Sequence, residues 1–109
     1  MPAKPTIIVV MDEATTRQTL EDNLSRRYGA DYAVRCVEAP GQALDLLAEL
    51  DREGIAVPIV IAVLWLPGMD GLEFLARVRE VRPEAQRLLM FDFYDPAVDA
   101  AVIHGMTFG

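Results

Sequence analysis

The chain has very little of several residue types, and each scarcity excludes a class of protein. Cys36 is the single cysteine, so no internal disulfide can form. His104 is the single histidine, and no cysteine–histidine spacing typical of a zinc site exists. No apolar run approaches the roughly 20 residues of a membrane span, and the N-terminal segment Met1–Pro5 is too short and polar for a signal peptide. We therefore expect a cytoplasmic protein.

Basic residues are also scarce. Lys4 is the only lysine, and 10 basic residues stand against 17 acidic ones, for a net charge of -7. Nucleic-acid binding needs clustered lysine and arginine to neutralise phosphates, so the composition argues against it for this chain. The arginines that do cluster are interpreted as solvent-exposed helix faces. They are Arg26 and Arg27, and farther along Arg77, Arg79 and Arg82.

What is present points to one globular domain spanning residues 1–109, since 52% of the residues are hydrophobic and 25% are charged. Short apolar runs alternate with helical patterns. The runs predict strands at 6–11, 32–37, 58–64 and 87–91, and the patterns predict helices that begin near Ala14, Pro40, Gly71 and Asp95. Buried strands that alternate with helices favour an α/β fold with a doubly wound parallel sheet.

Helical spacing identifies the side chains expected to pack inward. They are Leu20, Leu24 and Tyr28 in the first helix, and Leu72, Leu75 and Val78 in the third. Gly29 and Gly54 are expected to end the first two helices. Asp70 is expected to stabilise the turn before the third helix or to cap that helix.

Two sequence strings carry a resemblance to a known family. They are the strand and acids at 7–13, Ile-Ile-Val-Val-Met-Asp-Glu, and the loop at 66–71, Leu-Pro-Gly-Met-Asp-Gly. With the strand-Asp-Pro segment at 87–96, they make the chain similar to the CheY-like receiver domains of two-component response regulators. The resemblance implies a flavodoxin-like fold, here truncated near the fifth strand. It also implies a phosphorylation site with two acids after the first strand, an acceptor aspartate after the third, a hydroxyl after the fourth and a lysine after the fifth.

The residues at those positions depart from the family pattern. Met11 stands in place of the first acid, while Asp12 matches the second and is followed by Glu13. Val63, four residues before Pro67, occupies the acceptor position. At the hydroxyl position the chain has Phe91, with Asp92 beside it, and no lysine is available for the fifth position. The resemblance thus implies a degenerate, apolar pocket without a phosphoacceptor, and weak or absent Mg²⁺ binding.

Two features leave alternatives open. Asp12 and Glu13 either cap the first helix or join Asp92 in a cation site. Five aromatic residues near the pocket either fill the vacated space or form an interaction surface. They are Phe91 and the four candidates for that surface, Trp65, Phe93, Tyr94 and Phe108.

The function expected from this sequence is phosphorylation-independent protein interaction in signalling, without catalytic activity. The expected partner is another protein, a further domain of a longer chain, or a second copy. One alternative is a working receiver that is phosphorylated on Asp12 or Asp92, and another is the regulatory domain of a larger enzyme. The remaining single residues have plain interpretations, with Cys36 as a small buried thiol and His104 as a solvated residue at a helix end.

Overall fold

The structure, a computed structural model, describes residues 3–90. Strands and helices alternate along this range. They are β1 (Thr6–Val10), α1 (Ala14–Tyr28), β2 (Ala33–Val37), α2 (Pro40–Arg52), β3 (Ile59–Val63), α3 (Gly71–Val81) and β4 (Gln86–Met90). All strand pairings are parallel, and the sheet order is β2-β1-β3-β4. The predicted α/β architecture is confirmed, while the predicted helix near Asp95 lies outside the described residues.

The sheet separates two apolar cores, because successive side chains on a strand point to opposite faces. On β1, Ile8 and Val10 join the core beneath α2 and α3, whereas Ile7 and Val9 join the core beneath α1. All five β1 residues are buried, as expected for a strand with neighbours on both sides and helices on both faces. This arrangement explains why β1 reads as an unbroken apolar run.

The inward face of α3 agrees with the prediction at Leu75 and Val78 but differs from it at Leu72. Leu72 is 48% exposed, whereas Phe74 is fully buried. The buried stripe consists of Gly71, Phe74, Leu75 and Val78, which follows the i, i+3, i+4, i+7 spacing of one helix face. The inward positions predicted for Leu75 and Val78 are therefore confirmed, whereas Leu72 was wrongly included and Phe74 completes the stripe. In α1, Tyr28 is likewise 44% exposed, although it was expected to face inward.

Arg82 was wrongly interpreted as part of a solvated helix face, because its side chain is buried. One guanidinium nitrogen, Nη2, donates to the Ile55 carbonyl at 2.8 Å, and Nη1 contacts the Glu84 carboxylate at 3.1 Å. Arg82 occupies the C-cap of α3 with φ -140°, ahead of Pro83, so helical spacing does not determine its direction. It therefore ties the α3–β4 turn to the segment that precedes β3.

The ends of the helices follow local chemistry. The Asp70 carboxylate accepts the Glu73 backbone N–H at 2.8 Å, so the predicted cap of α3 is confirmed. Gly54, at φ +71°, follows α2, and the next N–H, from Ile55, returns to the Leu50 carbonyl at 2.9 Å. No helix within residues 3–90 is long and apolar enough to cross a membrane.

Candidate functional site

The residues singled out from the sequence meet at the carboxyl edge of the sheet. Val10, the last residue of β1, pairs with Ala62, which directly precedes the last residue of β3, Val63. The segments 11–13 and 64–70 follow β1 and β3 in the chain, so they begin at neighbouring positions on this edge. In doubly wound sheets, this is the edge at which ligands bind.

Two of these residues form an apolar floor. Met11 and Val63 are each 1% exposed and belong to the same cluster of buried side chains, together with Ile7, Val9 and Ile61. The Met11 backbone N–H is bonded to the Val37 carbonyl at 3.0 Å, which fixes the first position after β1. Met11 and Val63 therefore present thioether and methyl groups, rather than carboxylates, at this edge. Phe91, Asp92, Phe93, Tyr94 and Phe108 lie outside the described residues.

The two acids after β1 have separate roles. Glu13 is the N-cap of α1, and its carboxylate accepts a hydrogen bond from the Thr16 backbone N–H. That bond is the main cause of a lowered Glu13 pKa, with the nearby Arg17 charge adding to it. Asp12 is exposed, and Glu13 rather than Asp12 caps the helix. Within residues 3–90, no group of three or more acidic, histidine or cysteine side chains could hold a metal ion.

Arg17 belongs to this edge, although it was not predicted from the sequence. Its Nη1 donates to the Met11 carbonyl at 2.9 Å and approaches the Asp12 carbonyl at 3.3 Å. The only signal in the sequence is indirect: a basic residue stands in the first turn of a helix, where the helix dipole disfavours a positive charge. Nothing in that signal identifies the carbonyls as its partners.

Trp65 lies on the surface beside the apolar floor. It is 59% exposed, in a loop whose ends are joined by the Gly71 N–H bonded to the Leu64 carbonyl at 2.7 Å. Leu72, at the start of α3, is also exposed, at 48%. Trp65 therefore does not fill a buried pocket, and its place in an interaction surface stays a prediction.

Cys36 lies on the edge strand β2 and is half-buried rather than fully buried. Burial raises the pKa of its thiol to about 11, and the Glu21 charge adds to the shift. The thiol is therefore protonated at neutral pH and a poor nucleophile. This agrees with the interpretation of Cys36 as a packing residue.

Replacing Glu13 by glutamine is expected to remove an acid-sensitive part of the fold's stability. A carboxyl whose pKa is lower in the folded protein stabilises the fold above its unfolded pKa, and that contribution is lost as the pH falls through the folded pKa. The wild-type melting temperature should therefore fall more steeply below about pH 4.5 than that of Glu13→Gln. Thermal melts from pH 3 to pH 7 test this, with Glu80→Gln, an exposed acid on α3, as the control. Equal slopes for wild type and Glu13→Gln would contradict the capping role.

The known proteins that the chain matches in sequence are described as regulatory proteins. No protein-family profile matches the chain. Over 95 residues, the chain is 30% identical to the hydrogenase transcriptional regulatory protein HoxA of Cupriavidus necator, covering 87% of the chain and 18% of that protein. Against HoxA of Bradyrhizobium diazoefficiens the identity is 34% over 90 residues, covering 83% of the chain and 17% of that protein. The chain thus spans less than a fifth of the length of these relatives.

Solved structures agree with the sequence comparison. The signal receiver domain of an HD domain-containing protein from Pseudomonas fluorescens Pf-5 has 31% sequence identity and a TM-score of 0.69, covering 92% of this chain and 74% of that one. A response regulator receiver protein from Pseudomonas putida superposes with a TM-score of 0.70 at 21% identity, covering 97% and 84% of the two chains. At that lower identity, the second likeness concerns the fold alone.

Proposed function

The chain belongs to the receiver domains of two-component response regulators, and from this premise we propose that it is a protein-interaction module that works without phosphorylation. The observation that carries the proposal is the burial of Val63 and Met11 in one apolar cluster at the carboxyl edge of β1 and β3. Val63 stands where a receiver's phosphoacceptor is expected from the sequence. Its side chain has no atom that can attack phosphorus.

The neighbouring residues do not fit the magnesium ion that a phosphorylatable receiver uses. Mg²⁺ requires about six oxygen ligands in an octahedron, usually including one or two carboxylates. Met11 and Val63 offer no oxygen from their side chains, and the Glu13 carboxylate is bonded to the Thr16 N–H. Asp12 and Glu13 are both exposed, and Asp12 is the one that does not cap α1. We therefore propose weak or absent Mg²⁺ binding, and derive no chemical step through the ion.

Exposed apolar residues after β3 and at the start of α3 support the interaction role. Trp65 and Leu72 are 59% and 48% exposed, and tryptophan is among the residue types that contribute most to protein interfaces. The partner is a protein, a further domain of a longer chain, or a second copy of this one. The chain itself is proposed to have no catalytic activity.

Acetyl phosphate distinguishes this proposal from a phosphorylated receiver. The chain is incubated with acetyl phosphate and Mg²⁺ and its intact mass is measured under conditions that preserve acyl phosphates. The expected result is an unchanged mass, because the acceptor position holds an aliphatic side chain.

A mass gain of one phosphoryl group would overturn the proposal in favour of the alternative, phosphorylation on Asp12 or Asp92. Asp12 is a candidate acceptor in that alternative because it is an exposed carboxylate at the carboxyl edge of the sheet. The variants Asp12→Asn and Asp92→Asn then identify the acceptor, since only the change at the true acceptor removes the added mass.

A further inference from the structure

The two faces of the sheet are covered to different extents within residues 3–90. On one face, α2 and α3 pack over Val60 of β3 and Leu89 of β4, which are 0% and 2% exposed. On the other face, α1 packs mainly against β2, and Leu88 and Met90 of β4 are only half-buried. A helix with its side chains is about 10–12 Å wide, whereas four strands spaced about 5 Å apart are wider. One helix therefore leaves the apolar face of β3 and β4 incompletely covered.

This incompletely covered face contains a groove of about 350 Å³ beside α1. Its walls include Leu24 and Tyr28 of α1, Ile59 of β3 and Leu88 of β4. None of the described residues that line the groove carries a charge, although 25% of the residues in the whole chain are charged. A continuous apolar surface of this kind on a charged protein is typical of an interaction site.

The position of Tyr28 suits contact between two copies of the same groove. Tyr28 is the last residue of α1 and lines the groove, yet 44% of its surface is exposed. A two-fold axis brings the same patch of two copies together, so that each copy gives and receives the same contacts. An exposed aromatic ring beside an apolar groove meets this requirement, because each ring can enter the groove of the other copy. Tyrosine is also enriched among the residues that contribute most to interfaces.

We propose that the groove is the docking site for a second copy of this chain, through reciprocal insertion of Tyr28. The inference deepens the proposed function and rests on its interaction role, since it names the partner and the surface. Two inserted aromatic rings bury about 150–250 Å² each, far less than the roughly 1,600 Å² of a standard stable interface. The net charge of -7 on each copy adds repulsion between them. The dimer is therefore weak and reversible, and salt strengthens it by screening that repulsion.

Sedimentation velocity of the full chain tests the proposal, over about 1 μM to 1 mM, the range in which weak complexes dissociate. We expect a monomer–dimer equilibrium whose association constant rises when NaCl is added. Tyr28→Lys removes the ring and adds a positive charge, which reduces the repulsion between copies, so a loss of dimer cannot come from added repulsion. This variant should dimerise about tenfold more weakly or worse, as expected for a residue at the centre of an interface. Tyr28→Phe retains the ring and should dimerise like the wild type.

Val81→Lys is the matched control for Tyr28→Lys. Val81 is also an exposed apolar residue at the last position of a helix, at 56%, and it lies on α3, which covers the other face of the sheet. It should leave dimerisation no weaker than in the wild type. If Tyr28→Lys does not fold, as judged by circular dichroism, Tyr28→Ser removes the ring without adding a charge and takes its place.

A chain that stays monomeric over the whole concentration range at low and high salt would overturn the proposal. Equal dimerisation by Val81→Lys and the variant that lacks the Tyr28 ring would overturn it as well. The proposed function fails instead on a phosphoryl mass gain, which is measured separately, so the two failures are distinguishable.

Discussion

Replacing Val63 by aspartate is expected to destabilise the fold by about 3–5 kcal/mol at neutral pH, the cost typical of an unpaired buried charge. Val63 is 1% exposed and packs in the cluster that contains Met11 and Ile61. A carboxylate there would lose its hydration without gaining a charged partner from that cluster. Since small domains are stable by only about 5–15 kcal/mol, urea unfolding should show a large shift of the midpoint.

The effect of Val63→Asp should depend on pH in a definite direction. Burial raises the pKa of a carboxyl group above its unfolded value, because it disfavours the charged form. The folded state then retains its proton to higher pH than the unfolded state, so stability falls as the pH rises above about 4. Unfolding curves at pH 4 and pH 7.5 measure this difference.

Val63→Asn is the matched control, because asparagine has nearly the same shape as aspartate and does not titrate. Its destabilisation should be smaller than that of Val63→Asp at pH 7.5 and nearly the same at both pH values. If Val63→Asp and Val63→Asn were equally stable at pH 7.5, the added carboxylate would be hydrated, and the apolar character of the site would be disproved.

Restoring acids at two positions should still not restore phosphorylation. The double variant Val63→Asp with Met11→Asp regains carboxylates at the acceptor and first-acid positions. It does not regain the positive charge that offsets the phosphoryl group, since Lys4 is the only lysine and precedes β1. Strong labelling of this variant by acetyl phosphate would show that the pocket is more complete than its residues indicate.

The fold could be predicted because each strand is marked by its own composition. The unbroken apolar runs of β1 and β3 reflect burial on both faces, and all four strand predictions fall within one or two residues of the observed bounds. The Asp70 cap was also predictable, because its bond to the Glu73 N–H is local. Features that depend on residues close together in the chain can thus be predicted from the sequence.

Features that depend on distant parts of the chain were missed. Arg82 is buried because the Ile55 carbonyl, 27 positions away, accepts its hydrogen bond. No role was predicted for Arg17, because its hydrogen-bond acceptor is a backbone carbonyl, and every residue has one. Leu72 was placed on the inward face and Phe74 was not identified, because a short helix with apolar residues on several sides allows more than one inward stripe. Charge and helical spacing alone therefore do not predict the backbone contacts that Arg17 and Arg82 make.

The close approach of α3 to β3 leads to the second large expected effect, in Gly71→Ala. A Cβ atom at this position would lie 2.2 Å from the Val63 carbonyl oxygen and 2.9 Å from Leu89 Cδ1. The oxygen belongs to the backbone, so the clash is relieved only by moving the start of α3 away from the end of β3. That movement would strain the bond from the Gly71 N–H to the Leu64 carbonyl. We expect a loss of about 3 kcal/mol, at the upper end of the cost of overpacking.

Gly41→Ala is the matched control for Gly71→Ala, because both glycines lie at the start of a helix and a Cβ at Gly41 would have nothing within 4 Å. Alanine is the better helix former by about 1 kcal/mol, so Gly41→Ala should be neutral or slightly stabilising. Urea unfolding followed by circular dichroism measures both variants, and Trp65 fluorescence reports on the loop that Gly71 closes. If Gly71→Ala lowered the free energy of unfolding by less than about 1 kcal/mol, the effect would be that of an ordinary substitution. The start of α3 could then move away from the end of β3 at little cost, contrary to the expectation. In that case the loop carrying Trp65 would no longer be held as a fixed surface beside Val63.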